Sequence, residues 1–397
     1  MNAVGIIAEY NPLHNGHVYH MKEALRIAGS DAVVVAMSGN YVQRGEPAIV
    51  DKWSRAEAAV RSGANLVIEI PTIFCLGNAK QYASAGVALL ESVNCVTQLA
   101  FGSESGDIDG LCRVAGRLNE KNEEIAQRIS AMLPEGLSFP AARERAYREI
   151  YSDSEFIDSD IELLRSSNDI LALEYIRACS RLSTVAVRRS GAGYTETGLT
   201  QNGFQSATAI RNAVAEGCQV DDYVPEYMND ILAGNRAVKS DDVLSILRYA
   251  VMNMAAEDID KCPSGGEGLG NKIKSCIDTS ESIDELINAV KSKRYTYSRI
   301  SRLLIQILLG ISNDKYPEAA PSYIRVLAAD RKGRDILAEM RDGALPVITN
   351  LSKDSCKLDE QGLALLELDA HTSDIYNLIS GRDIRKYSDY RMHPAMI

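Results

Sequence analysis

From residue 3 to about residue 104, short apolar runs alternate with stretches whose apolar residues recur every three or four positions. The runs "AVGIIAE" (3–9), "DAVVVAMSG" (31–39), "NLVIEIP" (65–71) and "VTQLAFGSE" (96–104) predict strands. Between them, "NGHVYHMKEALRIAG" (15–29), "DKWSRAEAAVRSGA" (51–64) and "AKQYASAGVALLESV" (79–93) predict helices, the first stopped by Gly29. Strands that are apolar on both faces and separated by helices imply an α/β fold, with a parallel sheet covered on both sides.

Beyond this region the texture changes. Residues 106–182 read as mostly helical, with a break at "LPEGLSFP" (133–140). "STVAVRRSGAGY" (183–194) returns to a strand followed by a glycine loop. "QSATAIRNAVAEG" (205–217) predicts a short helix with Ser206 as N-cap. From Pro225 onward the pattern is helical to about 315, then mixes helices with short strands at "SYIRVLAAD" (322–330) and "LPVITN" (345–350). The expected division is a catalytic domain over 1–225, with a helical insertion around 106–182, and a mostly helical domain over 226–397.

Composition narrows the function classes. A 397-residue chain with 46% hydrophobic and 24% charged residues can bury a large core without staples. A net charge of −11 argues against indiscriminate binding to nucleic acid or anionic membrane, while leaving room for a local basic face. Eight scattered cysteines without a C-x-x-C pair give no zinc-site spacing, so no metal site is expected and reduced thiols in a cytoplasmic protein are. No signal peptide is expected, and no uncharged apolar run approaches the ~20 residues of a membrane span.

The candidate chemistry sits at the end of the first strand, in "EYNPLHNGH" (9–17). Three of the five histidines, His14, His17 and His20, fall within seven residues there. In an open parallel sheet, ligands bind beyond the carboxyl ends of the strands. Gly16 lets backbone approach a ligand, and the first turn of the next helix offers free N–H groups and a positive dipole end. Two imidazoles three residues apart can place two donors beside one phosphate, which suits nucleotidyl transfer. The competing readings are a metal pair, with Glu9 as the only further ligand nearby, and surface residues of no consequence.

"HNGH" matches the H-x-G-H signature of the nucleotidylyltransferase superfamily, which shares a Rossmann-like core with class I aminoacyl-tRNA synthetases. The longer string "GIIAEYNPLHNGHVYH" resembles the tRNA(Met) cytidine acetate ligase family. "GNYVQRGEPAI", "NLVIEIP", "LAFGSE", "SNDILALEYI", "GAGY", "SATAIR" and "KRYTYSRISRLL" resemble that family's blocks in order, from about residue 3 to about 310. The resemblance implies a Rossmann-like nucleotidylyltransferase domain followed by a mostly helical one. It also implies an enzyme that activates acetate with ATP, releasing pyrophosphate, and passes the acetyl group to N4 of the wobble cytidine of elongator tRNA(Met).

Residue by residue, the resemblance implies an ATP-binding segment of Ile7, Ala8, Glu9, Tyr10, Asn11, Pro12, Leu13, His14, Asn15, Gly16 and His17, with His20. His14 and His17 act on the phosphates. Gly102 lies against the nucleoside, Asn168 contacts the nucleotide, and Arg189 corresponds to the nucleotide-binding arginine. Its neighbour Arg188 stands where a lysine is usual. Asn168 could equally be a helix cap. Ser206 and Arg211 could reach the β- and γ-phosphates, or be a cap and an exposed charge. The lysine motif of the synthetases is missing. Mg²⁺ is expected with the phosphates. Arg44 and Lys52, in the loop 39–55, could meet pyrophosphate or the tRNA end.

A tRNA site is sought in "KSKRYTYSRISR" (291–302), where Lys291, Lys293, Arg294, Arg299 and Arg302 interleave with Tyr295 and Tyr297. "RKGRD" (331–335) and "GRDIRKYSDYR" (381–391) are further basic clusters. Each could instead be a solvated helix face. Two rivals remain open: a small-molecule nucleotidylyltransferase using the same H-x-G-H site, and a non-catalytic RNA-binding protein that keeps a nucleotide pocket.

Overall fold

The computed structural model describes residues 1–188, 204–266, 268–292, 295–316, 320–340 and 345–397. The strands are β1 (Ala3–Ala8), β2 (Ala32–Ser38), β3 (Tyr41–Val42), β4 (Glu46–Pro47), β5 (Leu66–Ile70), β6 (Val96–Ser103), β7 (Ser183–Arg188), β8 (Ile324–Ala329), β9 (Val347–Ile348) and β10 (Ala395–Met396). The first helices are α1 (Asn15–Ala28), α2 (Lys52–Arg61), α3 (Thr72–Cys75) and α4 (Ala79–Glu91). A helical insertion follows: α5 (Ile108–Glu120), α6 (Asn122–Met132), α7 (Phe139–Ile150), α8 (Ile157–Arg165) and α9 (Ser167–Ala178). After β7 come α10 (Ala207–Ala215), α11 (Glu226–Gly234), α12 (Leu244–Asn253), α13 (Ala256–Asp260), α14 (Leu269–Cys276), α15 (Ile283–Val290) and α16 (Tyr297–Leu308). The chain closes with α17 (Arg331–Glu339), α18 (Leu351–Asp354), α19 (Glu360–Ser380) and α20 (Ile384–Tyr387).

Among the described residues one large sheet runs in the order β10-β8-β5-β2-β1-β6-β7, with β9 beside β8. Strands β1, β2, β5, β6 and β7 are parallel, as their unbroken apolar runs predict. Every residue of β2 and β5 is buried, Glu69 included. One apolar core lies under α4 and the insertion, a second under α1, α2, α10 and α11. Helices α12–α16 and α19 enclose a third. The chain builds β1, β2 and β5 toward one edge, then returns to the other side of β1 with β6. That reversal opens a crevice at the carboxyl ends of β1 and β6, where an open sheet of this kind takes its ligands.

The stretch 322–330, expected in the second domain, forms β8 and pairs antiparallel with β5 in the first sheet. The boundary at 225 therefore divides a sheet that the chain later rejoins. The loop 39–55 carries the short antiparallel hairpin β3–β4. None of the eight cysteines is paired. Among the described residues no helix is long and apolar enough to cross a membrane.

Candidate active site

The corner between β1 and α1 is tightly held. Arg55, fully buried, donates to the carbonyls of Glu9 (2.5 Å), Ser38 (3.2 Å), Val50 (3.0 Å) and Gly39. It thus ties together carbonyls at the ends of β1 and β2 and in the segment before α2. Tyr10 turns the chain in the left-handed region, at φ 48°. The side chain of Asn11 accepts from the Ile49 N–H at 2.8 Å, tying the corner to the segment before α2.

His14 is the N-cap of α1. Its Nδ1 accepts from the Gly16 N–H at 3.1 Å, and Nδ1 of His17 accepts from the His14 N–H at 3.3 Å. This is a capping box built from two imidazoles, with rings stacked 3.7 Å apart. A Cβ on Gly16 would lie 2.9 Å from His14 Cε1, so the ring's seat requires glycine there. A neutral imidazole has one acceptor and one donor nitrogen. With both Nδ1 atoms accepting from backbone N–H groups, each ring carries its proton on Nε2. The sequence placed two donors here; the cap fixes which nitrogens they are.

These rings form one wall of a cleft of about 250 Å³. Ile7, Ala8, Glu9, Tyr10, Asn11, Gly16 and His20 line it with them, together with Gly102, Asn168, Arg188, Ser206 and Arg211. Pro12, Leu13 and Asn15 do not line it. Leu13 is buried in the core, and Asn15 donates to the Asp222 carbonyl at 3.0 Å. Arg189 lies outside the described residues.

Asn168 is not the cap of its helix. Ser166 takes that place, and Asn168 donates to Glu104 at 2.6 Å. Ser206 does cap α10, accepting from the Ala209 N–H at 3.0 Å. Arg211 is not an exposed charge: it donates to the Asn11 carbonyl at 2.8 Å and faces Glu46 at 3.5 Å.

The hairpin β3–β4 supplies the opposite lip with Gln43, Arg44 and Glu46, of which only Arg44 was a sequence candidate. Glu9 Oε1 accepts from the Gln43 N–H at 2.9 Å. Burial pushes the Glu9 carboxyl above the ordinary carboxylate range, against the pull of that N–H and of Arg44 and Arg211. The local trace of the hairpin is Gly45 after the β-prone Tyr41–Val42, while Glu46 and Pro47 are poor strand formers. At φ +84° a Cβ on Gly45 would sit within 2.3 Å of the Arg302 backbone nitrogen.

Lys52 cannot reach pyrophosphate or tRNA. It is fully buried, with Glu69 at 2.8 Å and Asp389 at 2.6 Å. Several basic groups of the clusters also have internal partners. Arg299 donates to the carbonyls of Ser264 and Gly265 and covers the buried Tyr295 ring at 4.6 Å. Arg302 faces the Gln43 carbonyl at 3.4 Å, and burial lowers its pKa to about 10. Arg382 pairs with Asp51 at 2.6 Å, and Lys332 donates to the Asp31 carbonyl at 2.7 Å. Lys291 is exposed, as are Arg331, Arg334, Lys386 and Arg391. Lys293 and Arg294 lie outside the described residues.

Residues 1–390 match the family model described as HIGH Nucleotidyl Transferase. The chain is 36% identical to the tRNA(Met) cytidine acetate ligase of Clostridium perfringens, over all of both chains. It is 38% identical to that of Caldanaerobacter subterraneus subsp. tengcongensis, over 95% of each. The crystal structure of apo Thermotoga maritima TmcAL superposes over the full length of both chains with a TM-score of 0.93 at 34% identity. The same protein bound with alpha-thio ATP does so with a TM-score of 0.90 at 32% identity.

Proposed function

The chain belongs to the HIGH nucleotidyl transferase family, among the tRNA(Met) cytidine acetate ligases, and from that premise we propose that it uses ATP to join acetate to N4 of the wobble cytidine of elongator tRNA(Met). The observation that supports the reading is the imidazole capping box, which sets His14 and His17 in the cleft wall at the positive end of α1. In the first half-reaction an acetate oxygen attacks the α-phosphorus of ATP, and pyrophosphate leaves. Negative charge grows on the bridging and β-phosphate oxygens, where fixed N–H donors stabilise it without reorganisation. Arg211, tethered to the Asn11 carbonyl, supplies a cation on the same side.

The nucleotide enters as MgATP. The ion is read as part of the substrate, held by phosphate oxygens and water. In the second half-reaction the cytidine amine takes the acetyl group and AMP leaves. Lys291, Lys293 and Arg294, with the exposed Arg331, Arg334, Lys386 and Arg391, are the basic groups proposed to meet tRNA phosphates. The setting is cytoplasmic, where ATP and tRNA are available.

ATP–pyrophosphate exchange across a panel of small carboxylates, with and without tRNA, tests the reading. Exchange is expected with acetate, and N4-acetylcytidine is expected in tRNA(Met) by nucleoside mass spectrometry. Dinucleotide formation with nicotinamide mononucleotide or phosphopantetheine, with no response to acetate, would replace it with the small-molecule rival.

A further inference from the structure

Acetyl transfer needs a proton acceptor. The cytidine amine carries two hydrogens and the amide product keeps one. A cleft side chain placed to receive the departing proton speeds such a step. The two histidines do not meet this need in their neutral form, since both Nδ1 atoms accept from backbone N–H groups and both Nε2 atoms carry protons. Glu46 lies beside the Arg211 guanidinium at 3.5 Å. The Tyr82 hydroxyl shares a hydrogen bond with Ser38 at 3.1 Å, and burial drives its pKa well above that of an ordinary phenol.

Glu9 is different. It is the first residue after β1, at the sheet's reversal point, and lines the cleft beside His14 and His17. Its Oε1 is fixed by the Gln43 N–H, and no other side-chain hydrogen bond or ion pair reaches its carboxylate among the described residues. One oxygen is therefore held in place while the second remains open to the cleft.

We infer that Glu9 is the general base of the transfer step. The inference rests on the acetate ligase reading above. The N4 lone pair attacks the acetyl carbonyl carbon of acetyl-adenylate and a C–N bond forms. One N4 proton passes to the open Glu9 oxygen. The C–O bond to AMP breaks, its electron pair staying on the phosphate oxygen, and AMP leaves as the phosphate monoester. Glu9 then returns the proton to solvent.

The surroundings suit this work. Burial raises the Glu9 carboxyl, Glu46 adds to that, and Arg44 and Arg211 oppose it. A carboxylate shifted toward neutrality accepts a proton more readily than an ordinary one. The groups that face it are Arg44 and Glu46 from the hairpin, the buried Arg55 from α2, Arg211 from α10, His14 and His17 at the start of α1, and Tyr82 and Tyr175 from α4 and α9.

The alternative is that Glu9 only anchors the hairpin through Gln43. Glu9→Gln separates the two roles, because the amide oxygen still accepts the Gln43 N–H but takes no proton. Preformed acetyl-adenylate is mixed with enzyme and tRNA(Met), and single-turnover transfer is followed from pH 5 to 8.5. The parental rate is expected to rise with pH to a plateau through one ionisation above the ordinary carboxylate range. Glu9→Gln is expected to transfer ~10²-fold more slowly or worse, with that dependence gone. A folded Glu9→Gln enzyme within about threefold of the parental rate, with the parental pH profile, overturns the inference. If melting shows the variant unfolded, a flat parental profile overturns it instead. A parental enzyme that exchanges no pyrophosphate with acetate overturns the ligase reading, and Glu9's role with it.

Discussion

His14 has one role shown and one proposed: Nδ1 caps α1, and Nε2–H is the donor proposed to meet phosphate. The two roles can be separated. His14→Ala should lose both, costing ~1 kcal/mol of stability as a lost cap and ~10²-fold in acetate-dependent pyrophosphate exchange. His14→Asn restores a side-chain oxygen to the cap and should keep the parental melting temperature, while exchange stays depressed by ~10²-fold. Exchange recovered in His14→Asn would mean that the cap, and not the donor, is what the reaction needs. The clustering of His14, Gly16 and His17 was legible in the sequence, because the partners in the cap they form lie within one turn. Lys52 was not legible. Its carboxylates lie 17 and 337 residues away, so in sequence it looked like a free cation beside a glycine loop.

At the scale of elements, the parallel strands could be read because burial on both faces leaves an unbroken apolar run. Hairpin β3–β4 could not, since each strand is two residues long and its packing comes from α16. There Ser301 donates to the Gly45 carbonyl at 2.8 Å and Arg302 faces Gln43. Gly45→Ala would strain a positive φ and push Cβ into the α16 backbone. It should destabilise by more than ~1 kcal/mol and speed proteolysis within 41–47. A melting curve with limited proteolysis reads both. The same helix revises the RNA argument. Arg299→Ala combined with Arg302→Ala should lower the melting temperature, because both guanidinium groups serve internal carbonyls. Lys291→Ala should leave melting alone, weaken tRNA retention on filters and reduce the salt slope by about one counterion. Unchanged retention by Lys291→Ala would remove that residue from the tRNA surface.

Across the whole molecule, a buried charge cluster joins distant segments. Lys52 from α2, Glu69 from β5, Asp369 from α19 and Asp389 share one region, with Arg325 of β8 over the Trp53 ring at 5.2 Å. Lys52→Met would leave three buried carboxylates without their ammonium, and a loss of ~3–5 kcal/mol is expected by chemical denaturation. Burial lifts Glu69 to about 7, with Lys52 opposing and Asp369 and Asp389 adding to the lift. A carboxyl raised in the folded state binds its proton more tightly there than when unfolded. Its contribution is full below about pH 4.5 and lost as pH rises through about 7. Glu69→Gln should therefore flatten the fall in stability across that window, measured as unfolding free energy against pH. An unaltered slope would show that another group sets it.

The late return of the chain to its first sheet also bears on how the protein is made. β5 leaves its outer edge unpaired until Ile324–Ala329 arrive, and β8 in turn waits for Ala395–Met396. During synthesis, "LVIEI" therefore emerges as an apolar strand with open N–H and C=O groups while more than half of the chain is still to be made. Lys52 meanwhile has Glu69 of β5 as an early partner and waits for Asp389 as its second carboxylate. The residues that line the nucleotide cleft, from Ile6 to Arg211, are all made before β8 arrives to cover the edge of β5. Nascent chains stalled between β5 and β8 are the species on which a chaperone has most to do.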